Sequence, residues 1–172
     1  MQIRQCTQLP GMTLAVMLAL MVIHGLVCGP EAQAQGSRGL EGTWLFEATL
    51  VDCDTGESLP IPVNPFPVLH TYLPGGTMLD SAAEATRSAA HGIWERTGNR
   101  TFRERFRFFS FDATGAHVST VEITVERSLI RGENAETDEV IGVGTAKFFD
   151  PAGVLVGEGC NKDSGRRFVF ED

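Results

Sequence analysis

His91, Glu95 and Glu104 are the polar side chains whose types and spacing could do chemistry in this chain. Gly98-Asn99 separates two alternating segments, residues 89–97 and 100–111, and reads as a two-residue hairpin turn. Such a turn sets Ile93 opposite Glu104 and His91 opposite Phe106, so that His91, Glu95 and Glu104 cluster around Ile93 on one face. Diagonal neighbours on a sheet lie about 7–8 Å apart at the backbone, within reach of a histidine and a glutamate. A histidine between two carboxylates can move a proton or hold a polar atom of a ligand. Burial would raise a glutamate pKa and a histidinium would lower it.

The strands that carry these residues set the direction in which they point. From Arg100, Phe102, Phe106 and Phe108 fall on one face, and Arg103, Arg105 and Arg107 on the other. In the next strand, up to Arg127, Val121, Ile123 and Val125 oppose Glu122, Thr124 and Glu126. A one-residue slip would turn every side chain over, so the apolar pattern decides the register. It pairs Phe106 with Ile123 and Phe108 with Val121, and it sets Arg103 opposite Glu126 and Arg107 opposite Glu122. The arginines are then expected on a solvated outer wall. The expected ligand-binding group is His91, Ile93, Glu95, Phe102, Glu104, Phe106, Ile123 and Val125.

Around these central strands the chain reads as all-β. A first strand is expected at about Thr43–Cys53, followed by a turn and by Pro60, Pro62, Pro65 and Pro67, which interrupt regular structure. Val68–Leu73 turns at Pro74-Gly75-Gly76 into Thr77–Asp80. Ser81 to Glu84 has capping-box spacing, which leaves a helical turn or a loop equally open. Val140–Phe149 and Val154–Cys160 form another hairpin, and Asn161 to Gly165 reads as a turn into a last strand, Arg166–Phe170. Eight or nine strands joined by short turns favour a single antiparallel up-and-down barrel over a sandwich.

Residues 1–34 have the layout of a secretory signal peptide: Arg4, an apolar stretch from Gly11 to Cys28, and the small-x-small site Ala32-Gln33-Ala34. Cys28 raises lipoprotein processing, but Val27 before it does not suit that site. The mature chain, 35–172, is one domain long and keeps no membrane span. Loss of Arg4 with Glu31 leaves the net charge at −8. An acidic chain without a basic block argues against nucleic acid as a partner. Two mature cysteines remain, Cys53 and Cys160, and an even pair in an exported protein reads as a disulfide. His70, His91 and His117 do not pair at ligand spacing, so no metal site is expected. Gly142-Val143-Gly144 falls inside a strand, where glycine marks a bend, and no cofactor is expected.

Gly42-Thr43-Trp44, opening the first strand, resembles the Gly-x-Trp signature of lipocalins and related calycins. Arg167 sits where lipocalins place an arginine that packs on that tryptophan. The wider pattern (Gly75-Gly76-Thr77, residues 91–98, Phe148-Phe149-Asp150, Gly159-Cys160) resembles exported bacterial barrel proteins of unassigned function. The resemblance implies a lipocalin-like barrel with Trp44 at its closed end under Arg167. Three functions follow: a non-catalytic binder of a small, mainly apolar molecule, read first; a barrel isomerase or cyclase using His91 with Glu95 or Glu104; and a packed structural or interaction module. Material recovered from the exported fraction is expected to begin at Gln35. N-terminal sequencing checks this, and an intact leader would return the apolar stretch to the status of an anchor.

Overall fold

The computed structural model describes residues 39–133 and 137–170. The expected signal peptide, with Cys28 and the Ala32-Gln33-Ala34 site, lies outside the described residues. Eight strands follow in order: β1 (Gly42–Val51), β2 (Phe66–Leu73), β3 (Thr77–Ala82), β4 (Ala90–Arg96), β5 (Thr101–Phe111), β6 (His117–Ile130), β7 (Glu139–Phe149) and β8 (Leu155–Arg167). Each pairs antiparallel with the next, and β8 closes on β1, so the sheet is an up-and-down barrel without an edge. No helix occurs among the described residues; residues 83–89, after the Ser81 capping-box pattern, form an irregular connection.

The β5–β6 register is the one the Phe/Arg alternation dictates. Phe106 opposes Ile123, Phe108 opposes Val121, Arg103 opposes Glu126 and Arg107 opposes Glu122. Phe102, Phe106 and Phe108 are buried while Arg103, Arg105 and Arg107 face solvent. The outer pairs that form, Arg107 with Glu122 at 2.7 Å and Arg103 with Glu95 at 2.5 Å, are exposed and contribute about 0.2–1 kcal/mol each.

The β4–β5 hairpin departs from expectation by one residue. Arg105, not Glu104, lies opposite Ile93, while Trp94 faces Glu104 and Gly92 faces Phe106. The cause is the turn. A two-residue turn with Gly at its first central position is type II′ and needs positive φ there, and type I′ needs it at both positions; neither Gly98 nor Asn99 has it. The chain instead closes around three residues, with the Thr97 amide donating to the Thr101 carbonyl at 2.9 Å. The slip turns His91, Ile93 and Glu95 outward and brings Trp94 against Tyr72 and Phe102, each at 5.9 Å between ring centroids. A side chain at Gly92 would collide with Phe106, so this close approach accepts glycine alone.

The second departure is β8. The span Asn161 to Gly165 is not a turn but the middle of one continuous strand, paired with β1 and β7 throughout. The barrel therefore has eight strands, not nine. Its polar composition follows from what lies inside: Asp163 points inward to a buried guanidinium, while Lys162 and Ser164 are exposed.

The two barrel ends are built differently. At one, the buried Trp44 indole donates to the Leu40 carbonyl at 2.8 Å, and the Arg167 guanidinium lies 4.2 Å from the centroid of the Trp44 ring. Arg167 also donates to the carbonyls of Glu41 (2.7 Å) and Gly39 (2.8 Å), sealing that end. The cation–π contact is worth about 0.5–2 kcal/mol. At the other end, Cys53 and Cys160 are bonded, with Cα atoms 5.2 Å apart and 107 residues apart in sequence. There Asn64 clamps the proline-rich connection to β1, accepting from the Leu50 amide (2.8 Å) and donating to the Leu50 carbonyl (2.9 Å). Replacing both cysteines by serine is expected to lower unfolding stability by about 4–5 kcal/mol, the loop-closure value for a ring near 100 residues. Denaturant midpoints under oxidising and reducing conditions measure it; equal midpoints would show that the bridge adds nothing.

Candidate functional site

Alternation along the strands sends Phe46, His70, Tyr72, Asp80, Glu104, Phe106, Arg127 and Asp163 into the barrel. Arg127, on β6, is the centre of this group, and its side chain is fully buried. One guanidinium nitrogen donates to Glu104 Oε1 on β5 at 2.6 Å, the other to Asp163 Oδ1 on β8 at 2.6 Å. The guanidinium carbon sits 4.3 Å from the Phe46 ring centroid. Gly142 makes room for it, because a Cβ there would lie 2.8 Å from Arg127 Nη1 and 2.6 Å from Asp163 Oδ1.

A second line of hydrogen bonds leaves this centre through β2. The Tyr72 hydroxyl donates to Glu104 Oε2 at 2.5 Å and lies 3.0 Å from His70 Nδ1. His70 Nε2 lies 2.9 Å from Asp80 Oδ2 on β3, and the imidazole packs edge-on against Phe106 at 5.5 Å. The other Asp80 oxygen accepts from Arg87, which reaches in from the β3–β4 connection. Six ionisable groups and a phenol are thus linked inside a barrel whose buried residues are otherwise mainly apolar.

Burial works against the charge of Glu104. The nearby charges of Arg127 and His70, with hydrogen bonds from Arg127 and Tyr72, outweigh it and hold the carboxyl below its usual range. Burial likewise opposes the Arg127 charge, but Glu104, Tyr72 and Asp163 more than offset it and keep the guanidinium protonated. For Tyr72, burial and the neighbouring Glu104 prevail over Arg127 and push the phenol well above its ordinary value. It remains a hydrogen-bond donor.

A cavity of about 40 Å³ adjoins this network at the disulfide end. His70, Asp80, Arg87, Asn161 and Asp163 form its polar wall, and Val68, Phe106, Ile123 and Val125 are among its apolar lining. Asn161 Oδ1 is buried without a hydrogen-bond partner. The space is enough for a few waters, and the lining is polar enough to hold them.

Of the residues expected to bind a ligand, Phe106, Ile123 and Val125 line this cavity, and Phe102 and Glu104 lie deeper in the interior. His91, Ile93 and Glu95 do not reach it. They stand on the outer wall, where Glu95 pairs with Arg103 and Ile93 is 58% exposed. An outer hollow of about 360 Å³ borders Ile93, Glu95, Arg103, Arg105 and the buried Glu104, and of its charged side chains only that of Glu104 does not reach solvent. Sequence reasoning missed His70, Asp80, Arg87, Arg127, Asn161 and Asp163. One signal was available: in Val68-Leu69-His70-Thr71-Tyr72 the alternation that buries Val68 and Tyr72 also buries His70. Among the described residues no group of three or more His, Cys, Asp or Glu is placed to hold a metal ion. No family model, no curated protein and no solved structure matches this chain.

Glu104→Gln is expected to cost about 3–5 kcal/mol at neutral pH, as removal of one partner from a buried ion pair does. Because the folded-state pKa of Glu104 is depressed, its stabilisation is complete above the ordinary value of 4.5 and is lost as pH falls through the lowered one. Urea unfolding from pH 7 into the acid range should therefore show a shallower acid loss in the variant. Identical profiles would remove Glu104 from this role.

Proposed function

We propose that the protein is an exported lipocalin-like barrel that binds a small, mainly apolar molecule at the disulfide end of its interior, without catalysing a reaction. The cavity beside the polar network carries this reading: an apolar wall with a few convergent polar groups is the usual form of a small-molecule site. Small-molecule sites generally measure about 300–1,000 Å³. The 40 Å³ cavity is smaller than that, so this reading requires Arg87 and the connection that bears it to move aside when a ligand enters. The disulfide supports export, since such bonds persist in oxidising compartments. The Trp44–Arg167 contact supports the lipocalin likeness.

One observation favours a second reading, proton transfer inside the barrel. The His70–Asp80 pair, buried and 2.9 Å apart, borders the cavity and could serve as an acid/base couple for an isomerisation or cyclisation. His91, on the outer wall, has no part in it.

Native mass spectrometry of protein purified from its own source tests binding. The expected result is a mass excess of one small molecule that is lost on unfolding. If only the apo mass is found, and no apolar compound raises the melting temperature, the barrel is a packed interaction module. Recovery of the bound molecule in two isomeric forms, with one form lost in His70→Ala, would favour the second reading.

A further inference from the structure

Arg87 is the one member of the interior network that comes from a connection between strands. The 83–89 segment is tied to β5 by two backbone hydrogen bonds, Ser88 N to Phe109 O at 2.9 Å and Phe111 N to Thr86 O at 2.8 Å, which together make the isolated bridge between Arg87 and Ser110. From there the Arg87 side chain folds into the barrel mouth until 6% of it is exposed, and it pairs with Asp80, whose side chain is 1% exposed. Its guanidinium carbon stands 3.8 Å from the centroid of the Phe108 ring. The cavity continues beside it between Phe66, Phe106 and Ile123. A buried carboxylate, an aromatic face and an apolar wall form a receptor for an organic cation. In this structure the chain's own guanidinium fills it.

Charge decides what can replace that side chain. Among the described residues, the network around the cavity holds three carboxylates, Asp80, Glu104 and Asp163, against two guanidinium groups, Arg87 and Arg127, and the His70 imidazole. Glu104 and Asp163 both share Arg127, so removal of Arg87 leaves Asp80 with His70 alone. A neutral ligand would leave that buried carboxylate without the guanidinium that now pairs with it, and an anion would face Asp80 and Asp163 across the cavity. A cation restores the balance, and the net charge of −8 draws cations toward the barrel.

We propose that Arg87 is a built-in competitor occupying a recognition site for an organic cation with an apolar or aromatic body (a guanidinium, amidinium or alkylammonium compound), which binds by displacing it. This rests on the reading of the barrel interior as a ligand site.

The test uses the oxidised mature protein and the Arg87→Ala variant, titrated calorimetrically with benzamidine, its neutral counterpart benzamide and the anion benzoate. Arg87→Ala should bind benzamidine at least about tenfold more tightly than benzamide or benzoate, the scale of a partly desolvated cation–π and ion-pair contact. It should also bind benzamidine more tightly than the wild type, in which Arg87 competes. Adding Asp80→Asn should abolish the preference for the cation. If benzamide, or the neutral dye N-phenyl-1-naphthylamine, binds as well as benzamidine, the interior remains a ligand site but not one for cations. If none of these compounds binds folded Arg87→Ala, both the cation site and the ligand-binding reading fail. Should that variant not fold, wild-type protein supplies the same decision. Saturating benzamidine is expected to shift the Arg87 Nε–H resonance and speed its exchange with solvent, and an unchanged resonance overturns the proposal.

Discussion

The interior of this barrel is organised around one buried guanidinium. Arg127 projects from β6 into the middle of the barrel and holds β5 through Glu104 and β8 through Asp163, each at 2.6 Å. A charge so placed is costly to desolvate, and its partners must be fully engaged if the group is to remain ionised. Both carboxylates are, and Tyr72 takes the remaining oxygen of Glu104. The packing follows from this arrangement. Gly142 gives space to the guanidinium, a side chain at Gly165 would collide with Phe46, and the Phe46 ring covers Arg127 from β1. Buried ionic groups of this kind contribute more to uniqueness than to stability in some proteins. Here they join residues from β2, β3, β5, β6 and β8 in a single register.

The two ends divide the remaining work. Trp44, Leu40 and Arg167 close one end with an indole, an aliphatic side chain and a guanidinium that donates to backbone carbonyls and pairs with the buried Asp138. That end is a plug of main-chain and aromatic contacts. The disulfide end holds longer connections, the bulges after Ser110 and Phe148, and the cavity. Bulges bend strands and re-aim side chains at barrel rims. A barrel of eight strands has little free interior once its own side chains are placed. Room for a ligand therefore has to come from a side chain that can leave, and Arg87 is carried by a connection rather than by the barrel wall.

The legible parts of the sequence were those where a single physical rule acted alone. Phe102, Phe106 and Phe108 alternate with Arg103, Arg105 and Arg107, and burial cost leaves one orientation for them. The cysteine pair and the Trp44–Arg167 contact were legible for similar reasons, an even cysteine count in one case and a resemblance carried by two residues in the other. At Gly98-Asn99 two rules competed. The dipeptide favours a two-residue turn, whereas the fit of Trp94 between Tyr72 and Phe102 and of Gly92 against Phe106 requires a three-residue one. Packing prevailed, and His91, Ile93 and Glu95 moved to the outer wall.

The sequence by itself determined an all-β chain, its central register, the bonded cysteine pair and the sealing of one end by Trp44 and Arg167. These depend on local alternation, turn residues and the pairing of a few distinctive side chains. The tertiary structure alone decided the interior site. His70, Asp80, Arg87, Glu104, Arg127 and Asp163 are spread over 94 residues (from position 70 to position 163); alternation turns Glu104 inward and hints at His70, but nothing local joins them to the other four. Asn161 to Gly165 looked like a loop because polar residues in a barrel strand are expected to face water. Asn161 and Asp163 instead face inward, because closure of β8 on β1 brings Asp163 to Arg127, and a buried charge is tolerated where its counter-charge waits. That complementarity exists between strands, at separations no local pattern spans.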